Sequence, residues 1–380
     1  MRVLGLLLVT CGAFACGGPT QASRDAAYAT ARGMPGLDDS TLTIPTSGAN
    51  GYPPRTANAL AIRRLVLRGE FSTLDSLLTA AADSAHRDYR AEGYLFGAYD
   101  AMAGDTSLAA PLARWSRERP ASAPGHLARA VYLQGQAWSA RGTAYAKNTP
   151  QQAMQRMNDL FKEAASCVDS ALALTPRSAE AYMVLLYTAR TSGDTVVSQR
   201  YLAKGLEDIP ASFSLRRQYL RNIVPRWGGS YAAMRAFADA SQAMADSNPR
   251  LHALAGYIVL DSAEVFELQG DEDKALAAYT RAIGYGDETQ FHLERGQMLV
   301  RAGRARDALP DLDYAVAGAP GGAVDHLWRG EAREKLWSQS DRTKRDLGLS
   351  ALADYQQAVV LDPTDPYALD RFARLYRILH

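Results

Sequence analysis

From about residue 56 to the end, apolar residues recur at three- and four-residue steps. Ala, Leu, Arg, Glu and Gln dominate these segments. That spacing places apolar side chains along one stripe of an α-helix. No stretch alternates as a half-buried strand would. Glycine and proline fall between the helical segments rather than inside them, as helix-ending residues do. The pattern predicts an all-α chain of helices joined by short turns.

The turn residues are periodic. Pro176 and Pro210 lie 34 residues apart and each closes a predicted helix, at Ala-Leu-Thr-Pro and Glu-Asp-Ile-Pro. Gly296 and Gly330 are also 34 apart, and Gly270 and Gly303 are 33 apart. Residue types repeat with the spacing. One unit carries Ala263, Phe266, Gly270, Ala275, Tyr279 and Ala282, and the next Gly296, Leu299, Gly303, Ala308, Leu312, Ala315 and Pro320. A third carries Gly330, Ala351, Tyr355, Ala358 and Pro363. Small residues let two helices approach, aromatics fill the gap to the neighbouring unit, and proline stops the second helix.

These positions resemble the tetratricopeptide repeat family, whose period is 34 residues. Tyr182, Leu185, Gly193 and Leu202 extend the match to residues 179–210. The third unit departs from it, with roughly nine extra residues around 337–347, read as an exposed loop or a helix extension. The unit at 211–249 is also long, with a turn at Pro225-Arg-Trp-Gly-Gly-Ser-Tyr231. A weaker resemblance covers residues 58–250. The segments at Trp138-Ser-Ala-Arg141-Gly and Arg226-Trp227-Gly-Gly look like an uncharacterised bacterial family that carries a domain of unknown function beside such repeats. The resemblance implies a tetratricopeptide-like helical-hairpin array, an α-solenoid, irregular over 58–250 and regular over 251–380. The helix expected at 367–379 would cap it.

The N-terminus predicts an address. Arg2 is the only charge before Arg24, and an apolar run from Val3 leads to Ala13-Phe-Ala15. That is the layout of a signal peptide over 1–15. Ala15 allows ordinary secretion. Cys16, followed by two glycines, is similar to the modified cysteine of bacterial lipoproteins, although Ala13 stands where that family prefers leucine. Both readings stay open. Residues 16–57 are rich in Gly, Pro, Ser and Thr and read as a flexible tether. Membrane contact would then be through a lipid on Cys16 alone.

Composition narrows the function. Of 380 residues, 42 are Lys or Arg and 41 Asp or Glu, a balance that offers no nucleic-acid footprint. Hydrophobic residues make up 47%, enough for an extended core. Cys167 is the only cysteine beyond Cys16 and reads as a small buried hydrophobe. The six histidines form no ligand motif, and neither a nucleophile elbow nor a phosphate loop is present. No catalytic residue, metal or cofactor is therefore assigned.

The resemblance implies partner binding along the face of the first helices, by another protein or a peptide segment. That face would include Tyr187, Arg190, Tyr257, Leu260, Glu264, Glu267, Gln297, Arg301, Glu331 and Glu334. Its acidic members suit a partner with positive charge; the plainer reading is a solvated helix face. Trp138 and Arg141 share a helix face and with Trp227 could line a ligand pocket, or simply lock one hairpin onto the next. Three functions remain open: a scaffold in the cell envelope, an enzyme or small-molecule or glycan binder with its pocket in 58–250, and a purely structural envelope component.

Overall fold

The computed structural model describes residues 21–34, 57–142 and 148–380. The expected signal peptide, Cys16 and most of the tether lie outside the described residues. Every regular element among the described residues is helical.

The body opens with α2 (Ala59–Arg68), α3 (Phe71–Arg87), α4 (Glu92–Asp100) and α5 (Ala109–Glu118). Six antiparallel hairpins follow. They are α6 (Ala123–Arg141) with α7 (Gln151–Leu174), α8 (Ala179–Ala189) with α9 (Thr195–Leu206), and α10 (Phe213–Asn222) with α11 (Tyr231–Ser241). The others are α12 (Leu254–Leu268) with α13 (Glu272–Ile283), α14 (Thr289–Arg301) with α15 (Ala305–Gly318), and α16 (Ala323–Gln339) with α17 (Arg345–Leu361). The helix α18 (Pro366–Leu379) packs on α17 and caps the series. The first helices of consecutive hairpins also touch, α6 on α8, α8 on α10, α10 on α12 and α14 on α16. Stacked hairpins whose first helices form one row make an α-solenoid.

Local chemistry sets the helix ends. Ser178, Ser212, Ser230 and Asp271 each accept a hydrogen bond from a backbone N–H in the first turn of the helix they precede, satisfying donors that would otherwise be orphaned. Gly270 and Gly303, spaced in the sequence almost one unit apart, both adopt φ of +77° where α12 and α14 end. L-residues avoid that region, so the turn needs glycine.

Other glycines set the distance between helices. A Cβ on Gly256 would lie 2.7 Å from the Phe291 ring and 2.9 Å from the Ala282 carbonyl oxygen. One on Gly330 would lie 2.8 Å from the Tyr355 ring. Alanine is the better helix former by roughly 1 kcal/mol, but overpacking a core costs about 1–3 kcal/mol. Gly256→Ala, with two crowded neighbours, is expected to lower the melting temperature; a higher one would show that Phe291 moves aside freely.

The array does not break at residue 250. Asn248 Nδ2 donates to the Ala211 carbonyl at 2.7 Å, and Tyr257 stands between Phe213 and Phe291 at ring distances of 6.2 and 4.8 Å. One apolar core runs from Ala57 to Leu361. The ends also meet. The Arg63 guanidinium on α2 donates to the carbonyl oxygens of Ala101 and, in the last hairpin, Leu361. Across the middle, the Glu92 carboxylate at the start of α4 accepts from the Ser212 hydroxyl and from the N–H groups of Phe213 and Ser214.

Two expectations need correction. Residues 21–33, read as part of the tether, form a helix, α1 (Gln21–Gly33). Ala27 and Ala31 are buried against α17 and α18, and Gln356 Nε2 donates to the Ala31 and Met34 carbonyls. Alanine-rich sequence reads as spacer until a surface exists to bury its small side chains. Second, Pro310 stands inside α15, so prolines do not all lie between helices. Its nitrogen simply leaves out one helical hydrogen bond. The extra residues around 337–347 follow the second of their two readings, the helix extension. They lengthen α16 and α17, leaving a turn in which Asp341 and Arg342 take φ of +50° and +61°.

Candidate binding site

The first helices of the first three hairpins end in cations. Arg141 is the last residue of α6, Arg190 follows α8 directly, Arg221 lies in the last turn of α10, and Arg226 sits in the short turn after it. Cations are favoured at helix C-termini, where carbonyl oxygens lack partners. Stacking the hairpins brings these ends to one rim, and the turns at Gly193 and Gly228 touch there.

Several arginines of the array find an acid on another helix. Arg226 pairs with Asp261 at 2.9 Å and Glu264 at 3.0 Å. Arg301 pairs with Glu267 at 2.5 Å, 34 residues away, so the sequence period returns as an ion pair. Arg371 pairs with Glu331 at 2.8 Å and Arg374 with Glu334 at 2.5 Å.

Arg190 is held among aromatic rings instead. Its guanidinium lies over Trp138 at 4.8 Å and over Tyr187 and Trp227 at 5.7 Å each. Arg141 lies over the Trp138 ring at 5.9 Å. No carboxylate among the described residues is in ion-pair distance of Arg190. Burial first, then the neighbouring charge of Arg221, lowers its pKa to about 10, with Arg226 and Arg141 adding to the effect. Arg190 Nε and Trp138 Nε1 are buried without a hydrogen-bond partner among the described residues. Stacking on aromatic faces stabilises the cation but accepts no N–H hydrogen bond in the ring plane. The site therefore holds positive charge and donors in excess of acceptors.

The structure joins two groups that the sequence kept apart. Trp138, Arg141 and Trp227, proposed as a pocket, and Tyr187 and Arg190, proposed for the groove, are one cluster organised by Arg190. The remaining groove residues are placed differently. Tyr257 and Leu260 are core. Gln297 is half-buried on α14. Glu331 and Glu334 are buried: Glu331 accepts from Tyr367, and Glu334 accepts from Tyr355 at 2.7 Å. Glu267 takes Arg301 and the Tyr279 hydroxyl, and Glu264 takes Arg226. The expectation of an acidic face for a basic partner is thus corrected, because the protein's own arginines neutralise these carboxylates. At Glu331 and Glu334 the helix α18 covers that face. Sequence reading missed Arg221, Arg226 and Asp261. For the two arginines the signal was a cation at the ends of α6, α8 and α10.

Among the described residues no group of three or more His, Cys, Asp or Glu is arranged to hold a metal ion. Cys167 is buried, and burial pushes its thiol pKa up, so it fits the packing role.

No known family matches this sequence, and no curated protein matches it. Among solved structures it is similar to YrrB, described as a TPR protein with an unusual peptide-binding site. The identity is 15%, over 54% of this chain and 97% of that one, with a TM-score of 0.27. At that score the likeness adds nothing to the packing described above. On its own hairpin stacking and 34-residue spacing, the chain is an all-α, tetratricopeptide-like helical-hairpin array.

Proposed function

We propose that this protein is a non-catalytic scaffold that holds another protein or a peptide segment at the rim formed by the ends of its first helices. The observation that supports the reading is Arg190, a half-buried cation in an aromatic frame without a counter-ion among the described residues. Arg226, Arg301, Arg371 and Arg374 are each matched by an acid of the chain. An unmatched charge is costly to keep unless something outside the chain completes it. The expected partner is therefore acidic where it meets this rim.

The proposal includes export, supported by the sequence pattern of residues 1–16 alone. A lipid on Cys16 would hold the array at a membrane of the cell envelope. Metabolic labelling with a fatty acid is expected to mark the wild type and not Cys16→Ser. Label on both would remove the anchor from the proposal.

The scaffold reading is tested by crosslinking capture from intact cells, with wild type compared with Arg190→Ala, after thermal melts show both folded. A partner recovered with wild type and lost with the variant supports the rim. Equal recovery moves the binding surface elsewhere, and no specific partner with wild type counts against the scaffold. The four-glutamate variant at 264, 267, 331 and 334 is unsuitable, since it strips internal ion pairs. It is expected to melt lower, by about 1 °C for each kcal/mol lost in a chain of this size.

A further inference from the structure

We propose that the rim is an oxyanion site, in which Arg190, flanked by Arg221 and Arg141 and framed by Trp138, Tyr187 and Trp227, takes a carboxylate or phosphate group. The inference rests on the scaffold reading only for its partner; the site itself can be tested with small anions.

Three observations carry it. First, no acid among the described residues lies within ion-pair distance of Arg190, unlike arginines elsewhere in the array. Arg226, Arg301, Arg371 and Arg374 each meet an acid from another helix. Glu264, on the helix nearest the rim, is occupied by Arg226 at 3.0 Å. Second, the neighbours that bear on Arg190 include Arg221, Arg226 and Arg141, all of its own sign. Gathering like charges costs free energy that an oxyanion would recover. Third, the aromatic rings hold the guanidinium plane in place. A fixed planar fork loses little freedom when it binds an oxyanion through two parallel N–H bonds. The apolar frame lowers the local dielectric, which strengthens that contact.

Arginine is suited to this role where lysine is not. The guanidinium can lie against indole and still present its edge, whereas an ammonium is a compact charge that prefers water. Carboxylate and phosphate share the oxygen geometry the fork recognises. A partner's acidic side chain or C-terminus would supply the first, and a free or peptide-borne phosphate the second.

The purified chain is titrated at constant ionic strength with inorganic phosphate, with glutarate, and with chloride as control. Tryptophan fluorescence is followed, since two of the five tryptophans frame the site. A saturable change with phosphate, glutarate or both, absent with chloride, is expected. Preference between them identifies the source of the group. Arg190→Ala is expected to weaken binding at least tenfold, the scale of a lost charge-assisted hydrogen bond. Arg190→Lys should recover only part of it. Arg221→Ala, which leaves the stacking intact, is expected to weaken binding less, and it serves as the variant if Arg190→Ala does not fold. No saturable response to either oxyanion overturns the proposal. So does a response unchanged in both arginine-to-alanine variants. Oxyanion binding without a captured protein would sink the scaffold reading alone, and capture without oxyanion binding would sink only this site.

Discussion

Asp354→Ala is expected to destabilise the fold by about 3 kcal/mol, the low end of the range for removing one partner of a buried ion pair. Asp354 on α17 is buried and holds two arginines of α16. Arg329 reaches it at 2.6 Å and Arg333 at 2.7 Å, with the His326 imidazole at 3.7 Å. Removing the carboxylate strands two guanidinium groups between helices. The low end applies because Asp313 remains within 3.2 and 3.3 Å of the same arginines. Urea unfolding of the two proteins measures it; a difference below about 1 kcal/mol would show that Asp313 and water replace the pair, as they do for surface pairs.

The same site gives a pH signature. Burial raises the Asp354 pKa, but His326, Arg329 and Arg333 outweigh it, so the net shift is downward. The folded state therefore holds the carboxylate ionised more firmly than the unfolded chain does. The stability this contributes is present above the ordinary aspartate range and is lost as pH falls through the lowered folded value. The gap between wild type and Asp354→Ala should narrow in acid. A gap that stays constant would mean the loss comes from packing rather than charge.

Glu92→Leu is expected to be as damaging, about 3–5 kcal/mol, from several buried donors each left unsatisfied at about 1–3 kcal/mol. Glu92 is fully buried and closes the N-terminus of α10 from a different helix, accepting from Ser212, Phe213 and Ser214. Leucine fills the space without an acceptor and keeps water out. Glu92→Gln retains an oxygen there and is expected to lose much less. Here the sign is opposite to that of Asp354. Burial raises the Glu92 pKa, and its hydrogen bonds and Arg250 only partly offset this. The folded state thus binds that proton more tightly than the unfolded chain, and the contribution falls as pH rises through the raised folded value. Glu92→Gln removes this dependence. Equal losses for the leucine and glutamine variants, read by urea unfolding, would sink the capping account.

Much of the architecture was legible in residue spacing. Pro176 and Pro210, Gly270 and Gly303, and Gly296 and Gly330 mark helix ends and close approaches, and these are local demands of backbone geometry. A repeating local demand produces a repeating hairpin, so the array follows from the chain itself. Cys167 and the aromatic positions Tyr279 and Tyr355 were readable for the same reason: each falls on a helix face that only a neighbour can bury.

The binding site was legible in parts and not as a whole. Trp138, Arg141, Tyr187, Arg190 and Trp227 stood out individually, yet nothing in their order joined the ends of α6, α8 and α10. Their meeting depends on the superhelical stacking of hairpins. The glutamates show the converse. Periodicity put Glu331 and Glu334 on an inward face, but whether such a face meets solvent or another helix depends on what covers it. The sequence by itself determined an all-α hairpin array, because helix periodicity and turn chemistry act over a few residues. Only the tertiary structure decided which charges are matched, that Glu92 caps α10, that α1 packs on the last helices, and that Arg190 meets no acid among the described residues. Those outcomes depend on contacts between residues tens to hundreds of positions apart, whose partners the local pattern does not specify.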